Sequence, residues 1–285
     1  MLEFTVKTNS EIRLSKAVFQ YNPQISYAHL MSLLRKKDVM LNGKRINKDA
    51  FVHSGDVIRL YTTIWTADTY QYEVETVFEN DSLLVYWKPK GLETQGEISL
   101  EAYARRAFPE AEACHRLDVN TDGLLIVAKS LDKKEAIVRE MNEGRVEKFY
   151  LTALYGTLAS AKIDKTAYLI KDSALGISRV VDGKIPGAMP IRTLFNEVAT
   201  FPGWTIAEVR LYTGRTHQIR AQAFQMGNYV LGDGKYCPDK IRRKFPFKKQ
   251  ALSAYKLHFT SSAEEFNGLT GRTLVHDCEL TEFIK

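Results

Sequence analysis

The stretch from Cys114 to Ser130 reads CHRLDVNTDGLLIVAKS. It joins a polar run to the apolar segment GLLIVA at residues 123–128, which is typical of a buried strand. Asp118 lies in the polar part, where the chain turns before it enters that strand. A carboxylate at such a place is commonly a turn or cap residue that bonds to nearby backbone amides. A buried strand can also hold the carboxylate in a cleft, and these residues alone leave both interpretations open.

Short runs with a β-type pattern follow one another from Thr76 onward. Two helical stretches interrupt them, at residues 98–107 and 131–144. The β-type runs are TVF, LLVYWK, GLLIVA, FYLTALYG, TLFNEV, WTIAEVRLY and YKLHF. This order predicts the α+β class, with a large, mainly antiparallel mixed sheet.

Residues 1–65 have a different pattern. Apolar spacing over residues 11–37 predicts two short helices separated by the Asn-Pro pair at 22–23, because proline ends a helix. The Asn-Gly pair at 42–43 predicts a tight hairpin, because both turn positions need a positive φ. The second helix ends in a basic cluster formed by Arg35, Lys36 and Lys37.

This N-terminal pattern resembles the S4 RNA-binding domain over about 50 residues. The resemblance implies that clustered basic side chains contact RNA phosphates. The alternative is an ordinary solvated charged face. We therefore expect a small α/β S4-like RNA-binding domain at residues 1–61, a linker at 62–75 and a catalytic domain at 76–285. The matching residues are Arg13-Leu14-Ser15-Lys16, Arg35, Lys36, Lys37, Val39 to Lys44, and Gly55 to Ile58.

Composition limits the classes of protein. Lys and Arg number 40 against 34 Asp and Glu, a formal charge of +6, which fits either a polyanionic partner or a mildly basic enzyme. Cys114, Cys237 and Cys278 are far apart and form no C-x-x-C pair, so we expect no metal site, no redox site and a reducing cytoplasm. No stretch approaches the ~18 apolar residues of a membrane span, and no signal peptide is recognisable.

Five segments resemble the RluA-type RNA pseudouridine synthases, in the expected order. HRLDVNTDGLLIVAKS is similar to their signature H-R-L-D-x-x-T-S-G-L-L. The resemblance implies the pseudouridine synthase fold and the isomerisation of uridine to pseudouridine in structured RNA, without a cofactor. The other segments are VFENDSLLVYWKPKGL (77–92), VEKFYLTALYG (146–156), LYTGRTHQIRAQAFQMGNYVLGDGKY (211–236) and LSAYKLHF (252–259).

The same resemblance assigns three catalytic residues. It makes Asp118 the catalytic carboxylate, Tyr150 the aromatic side chain under the target base, and Arg220 the guanidinium paired with Asp118. The reaction needs an ionised carboxylate near the sugar, either as a nucleophile or as a base, and a neighbouring Arg favours the ionised form. The alternatives are a core aromatic for Tyr150 and a surface side chain for Arg220. Further residues expected to bind RNA at the cleft are Arg116, Arg215 and His217.

Four positions depart from the family pattern and bear on the choice of substrate. Asp122 stands where Ser is usual, Asn120 where an acidic residue is common, Gln222 where His is usual, and Tyr255 at the typically Ala-flanked position of the last motif. We expect Asp122 to face backbone amides, away from Asp118. Large-subunit ribosomal RNA is our first choice of substrate and tRNA the second, for a monomer with no obligatory protein partner. Two other classes remain open: a non-catalytic RNA-binding protein, and a glycosidase with paired carboxylates, which would release free uracil.

Overall fold

The computed structural model describes residues 2–8, 10–22, 25, 27–61, 72–181 and 183–284. The chain forms two compact units, Met1–Glu73 and Val74–Lys285. The division between them falls inside the segment 62–75 that we predicted as a linker, of which residues 62–71 lie outside the described residues.

The first unit contains the two predicted helices and the predicted hairpin. Four antiparallel strands pair in the order β1-β6-β3-β4, and β2 pairs with β5. Asn42 and Gly43 adopt φ values of 50° and 79°, which confirms the turn. Buried Leu14, Val18 and Leu30 pack in one core. The elements are β1 (Leu2–Thr5), β2 (Ile12–Arg13), α1 (Leu14–Tyr21), α2 (Tyr27–Lys36), β3 (Val39–Leu41), β4 (Lys44–Ile46), β5 (Phe51–Val52) and β6 (Val57–Leu60).

The second unit is built on one sheet of eleven strands. The elements are β7 (Glu75–Glu79), β8 (Leu83–Lys88), α3 (Leu100–Ala104), β9 (Glu112–Ala113), β10 (Asp122–Ala128), α4 (Leu131–Asn142), β11 (Val146–Tyr155), β12 (Lys162–Asp172), β13 (Ile177–Val181), β14 (Met189–Phe201), β15 (Trp204–Leu211), α5 (Gln218–Met226), α6 (Asp239–Arg242), β16 (Leu252–Phe259) and β17 (Thr273–Val275), with 3₁₀ turns at Glu264–Phe266 and Glu279–Phe283.

The strands follow the order β13-β12-β14-β15-β11-β16-β10-β8-β7, with β9 added to β10 and β17 to β16. Among the described residues of this unit, every strand pairing is antiparallel except that of β10 with β16. The predicted α+β class with a mainly antiparallel sheet is confirmed. Among the described residues, no helix has both the length and the apolar character needed to cross a membrane.

Both predicted helices of this unit are shorter than expected. Helix α3 begins at Leu100 because the Ser99 hydroxyl accepts a hydrogen bond from the Ala102 amide (3.0 Å) and caps the helix. Helix α4 ends at Asn142, since Gly144 adopts a left-handed φ of 77° that no helix can continue.

Strand β10 lies in the middle of the sheet and leads into the site. Its residues Leu124 to Ala128 are fully buried. Gly123 adopts a φ of +138°, and a Cβ there would lie 2.5 Å from the Ala254 carbonyl oxygen of β16. The two backbones are therefore in close contact immediately after the turn that carries Asp118.

Candidate active site

Asp118 is held in a tight turn before β10. The Thr121 amide donates to the Asp118 carbonyl oxygen (3.0 Å) and closes this turn. The fully buried Lys88, at the end of β8, donates from Nζ to the carbonyl oxygens of Leu92 (2.8 Å) and Val119 (3.3 Å). Burial lowers the pKa of Lys88 to about 8. The turn is thus fixed both from within and from the neighbouring strand.

The side chain of Arg220 joins two carboxylates. It extends from α5, is 5% exposed, and donates from Nη1 to Asp118 Oδ2 (2.7 Å). Its Nε and Nη2 donate to the two oxygens of the fully buried Asp233, at 2.6 and 2.8 Å. Asp233 also accepts the backbone N–H groups of Lys235 (2.8 Å) and Tyr236 (3.2 Å). Arg220 is therefore a clamped side chain, and the surface alternative is wrong.

Asp233 and Asp118 keep the guanidinium of Arg220 positively charged. Burial alone lowers the pKa of this guanidinium, but the hydrogen bonds and charge of Asp233, together with Asp118, raise it overall. The bidentate contact with Asp233 also fixes the plane of the guanidinium. One N–H is consequently directed at Asp118 in a single orientation.

Tyr150 lies on β11 with its ring in the wall of the same cleft, and it is 6% exposed. Burial, helped by the negative charge of Asp118, raises the pKa of its hydroxyl, so the hydroxyl stays protonated at neutral pH. Lys148 is two residues earlier, on the same face of the strand, and also lines the cleft. Burial lowers the pKa of Lys148.

The cleft has a volume of about 580 Å³ and collects six of the predicted site residues. Arg116 and Arg215 are exposed at it, whereas Arg220 is buried. The six residues are Arg116, Asp118, Tyr150, Arg215, His217 and Arg220. The other four predicted residues are exposed in the first unit, at the end of α2 and in the β3–β4 hairpin: Arg35, Lys36, Lys37 and Lys44.

His217 lies near the carboxylate of Asp118. It adopts a left-handed φ of 59° just before α5, with Nε2 at 3.9 Å from Asp118 Oδ1 and Nδ1 at 3.0 Å from the Tyr236 hydroxyl. Burial lowers the pKa of His217, and the charge of Asp118 partly offsets this. Tyr236 packs its ring 4.9 Å from the Arg220 guanidinium. His217 is therefore linked to the Asp118–Arg220 network through Tyr236 and lies beside Asp118 without a hydrogen bond to it.

His115 has a structural role. Its Nε2 accepts the backbone N–H of Ile126 (3.1 Å), a bond that requires this nitrogen to be unprotonated. Burial lowers the pKa of His115 to about 3, so the ring is neutral at physiological pH. The side chain fixes the start of the signature stretch to β10.

Two of the departures from the family pattern, Asp122 and Gln222, lie outside the cleft wall. Asp122 accepts a hydrogen bond from the Ser253 hydroxyl (2.6 Å) and lies 3.8 Å from Lys90 Nζ, so its main partners are side chains and not the backbone amides that we expected. Gln222 is fully buried and donates to the Lys165 carbonyl oxygen (3.2 Å). Neither side chain lines the cleft.

No role was predicted for Asp233, Lys88 or Tyr236. All three belong to segments that were matched, the Lys-Pro turn and the trailing G-D-x-x-Y, and these patterns were the available signal. In the described part of the chain, no three His, Cys, Asp or Glu side chains are placed to hold a metal ion.

Comparison with known proteins agrees with the geometry. The family model described as RNA pseudouridylate synthase matches residues 82–225. The "Ribosomal large subunit pseudouridine synthase D" of Nitrosomonas europaea is 29% identical and the alignment covers 91% of this chain and 80% of the relative. The "Ribosomal large subunit pseudouridine synthase C" of Vibrio vulnificus is 28% identical over 82% of this chain and 80% of the relative.

A solved structure shows the same fold. "Human RNA Pseudouridylate Synthase Domain Containing 1" superimposes with a TM-score of 0.58 at 23% identity, covering 74% of this chain and 94% of that one. The family match spans half of the chain, and it contains the turn with Asp118, the strand with Tyr150 and the helix with Arg220. The chain therefore belongs to the RNA pseudouridylate synthase family and is an RNA pseudouridine synthase.

Proposed function

We propose that this enzyme converts specific uridines of large-subunit ribosomal RNA to pseudouridine, with Asp118 as its catalytic carboxylate. The observation that carries the proposal is the 2.7 Å bond from Arg220 to Asp118 Oδ2 in a cleft lined by Tyr150. The names of the relatives, which act on the large ribosomal subunit, support the choice of RNA.

The two oxygens of Asp118 have different surroundings. Oδ2 accepts from Arg220, whereas Oδ1 lies 3.9 Å from His217 Nε2, beyond hydrogen-bond distance. Oδ1 is thus the oxygen that faces the ribose, where it either attacks C1′ to form a sugar ester or removes the proton from C2′. In both routes uracil leaves with the bonding electrons and turns. In the ester route C5 then attacks C1′ and the Asp118 carboxylate leaves with the electrons of the ester bond; in the other route C5 bonds to C1′ while Asp118 returns the proton to C2′. C5 finally loses its own proton and the ring regains its double bond.

Tyr150 supplies the support for the base. Its ring can stack on uracil, and its protonated hydroxyl can relay the C5 proton in the last step. The target nucleotide must leave its helix before its sugar is accessible, at a cost of a few kcal/mol. Arg116 and Arg215 hold the RNA from which the nucleotide is extruded, a role that their exposure at the cleft supports.

We also propose that residues 1–61 act as an S4-like RNA-binding domain. The exposed positions of Arg35, Lys36, Lys37 and Lys44 support phosphate contacts. The enzyme acts as a monomer in the cytoplasm, without an obligatory protein partner or a cofactor.

The experiment is pseudouridine mapping of total RNA from cells that have the gene intact, deleted, or carrying Asp118→Asn. We expect one or a few sites in large-subunit rRNA to lose pseudouridine in the deletion strain and equally in Asp118→Asn. Asp122→Asn is the matched control, because this carboxylate lies four residues away but outside the cleft wall; it should retain the sites.

Each other outcome has a definite meaning. Sites retained in Asp118→Asn would remove Asp118 from its catalytic role. Sites lost from tRNA would select the tRNA alternative, and an unchanged map in the deletion strain would favour a non-catalytic RNA-binding protein.

A further inference from the structure

Positive charge in the second unit is concentrated in one short segment. Val74–Lys285 contains 30 basic and 27 acidic residues, and residues 239–249, DKIRRKFPFKK, contain six of the basic ones and a single acid. The rest of the unit therefore has more acidic than basic residues. We call residues 239–249 the basic loop.

Most cations of the basic loop face solvent without a counter-charge. Asp239 pairs with Arg242 (2.6 Å) and lies 3.9 Å from Arg243, whose side chain is 80% exposed. Four lysines are exposed and form no ion pair within the part of the chain that the structure describes: Lys240, Lys244, Lys248 and Lys249. A surface with this excess of unneutralised charge fits a polyanion.

The loop backbone is rigidly anchored. Phe247 is buried and packs edge-on against Trp204, with ring centroids 5.3 Å apart, and Phe245 contacts Tyr155 at 6.1 Å. The Lys249 carbonyl oxygen lies so close to Gly232 that a Cβ there would be 2.0 Å away. The cations are therefore presented on a fixed backbone, which reduces the entropy lost when a ligand orders them.

The rings of Phe245 and Phe247 point inward, and this limits which groups of the basic loop can contact a ligand. Since Phe245 and Phe247 are used in packing, they are not available to stack on bases. The exposed groups are ammonium and guanidinium, which bind phosphate oxygens without reading the sequence.

Strand β11 relates the position of the basic loop to that of the cleft. Tyr150 lines the cleft, whereas Tyr155, five residues further along, points to the opposite face of the sheet and contacts Phe245 of the loop. The loop therefore lies on the face away from the cleft, about 17 Å further along the strand at about 3.4 Å per residue. A large folded RNA can contact this face while its target nucleotide is in the cleft.

We propose that the basic loop is a second RNA-binding surface, which contacts backbone phosphates of the substrate RNA outside the stem that enters the cleft. The inference rests on the proposed function for the identity of that RNA. It adds a contact region outside the cleft and outside the S4-like unit.

The test compares two triple variants of the full chain. Lys244→Gln, Lys248→Gln and Lys249→Gln remove charge from the basic loop; Lys162→Gln, Lys171→Gln and Lys184→Gln remove the same charge from exposed positions on and after β12. The probe is a labelled RNA hairpin of about 16 base pairs, long enough to span two minor grooves. The dissociation constant is measured over a range of salt concentrations, without turnover.

Each phosphate contact contributes about 0.7–0.9 to the slope of log affinity against log salt concentration. We expect the basic-loop triple to lower that slope by about 2 and the control triple to leave it nearly unchanged. Equal changes in both triples would show a general charge effect and overturn the proposal, as would an unchanged slope in the basic-loop triple. Because the hairpin is not a substrate, failure here is distinct from failure of the proposed function, which the pseudouridine map reports.

Discussion

Asp233 acts on Asp118 only through Arg220. Asp233 accepts hydrogen bonds from two nitrogens of the guanidinium and so fixes the direction of the third, Nη1, which donates to Asp118. In Asp233→Asn an amide NH₂ replaces one accepting oxygen and cannot accept from Arg220. We expect the single-turnover rate of pseudouridine formation to fall by about 10²-fold, the usual cost of a misplaced catalytic group, with RNA affinity retained. Single-turnover kinetics and a binding titration measure the two quantities separately.

A matched control separates positioning from stability. Glu140 is a buried carboxylate that accepts from Nε and Nη2 of Arg145, both at 2.5 Å, and it lies outside the cleft wall. Glu140→Gln should lower stability by a comparable amount and leave the rate unchanged. Comparable rate losses in both variants would assign the effect of Asp233→Asn to folding.

The sequence predicted those residues of the site that belong to strong local patterns. Asp118, Tyr150 and Arg220 were identified through the family resemblance, and the structure brings them to one cleft. Asp233 was not singled out, because its importance comes from burial against Arg220, which only the folded chain shows. A polar contact of this kind has no periodicity in the sequence.

At the scale of elements, the contact of β10 with β16 positions the turn of Asp118. Gly123→Ala would force a Cβ within 2.5 Å of the Ala254 carbonyl oxygen, at a φ of +138°. We expect the free energy of unfolding, measured with denaturant, to fall by about 3 kcal/mol. Gly144→Ala is the control: its φ is +77°, but nothing lies within 4 Å of the added Cβ, so its loss should be about 1 kcal/mol. Equal losses of unfolding free energy in the two variants would mean that the positive φ alone, and not the close contact, causes the destabilisation.

The type of each secondary-structure element could be predicted better than the ends of the helices or the pairing of the strands. The apolar run at 123–128 gave β10, and the Asn-Gly pair at 42–43 gave the hairpin. The parallel pairing of β10 with β16 had no local signal, since Asp122 and its partner Ser253 are far apart in sequence. Helix ends depended on single caps, such as Ser99, that periodicity does not reveal.

At the scale of the whole molecule, each unit has its own hydrophobic core. Leu14, Val18 and Leu30 belong to the first unit, and separate clusters fill the second. The change of pattern along the chain predicted two parts, and the chain forms two compact units. The concentration of charge in the basic loop was visible in the sequence, but whether its side chains face solvent depends on the packing of Phe245 and Phe247.

Separate cores allow the first unit to be removed without emptying the core of the second. We expect deletion of residues 1–61 to weaken RNA binding by about tenfold or more, and to lower the salt slope by about 3 if four basic side chains contact phosphates. The turnover rate at saturating RNA should change by about twofold or less, because the cleft residues all lie in Val74–Lys285. Affinity and slope equal to those of the full chain would instead make Arg35, Lys36, Lys37 and Lys44 an ordinary solvated face.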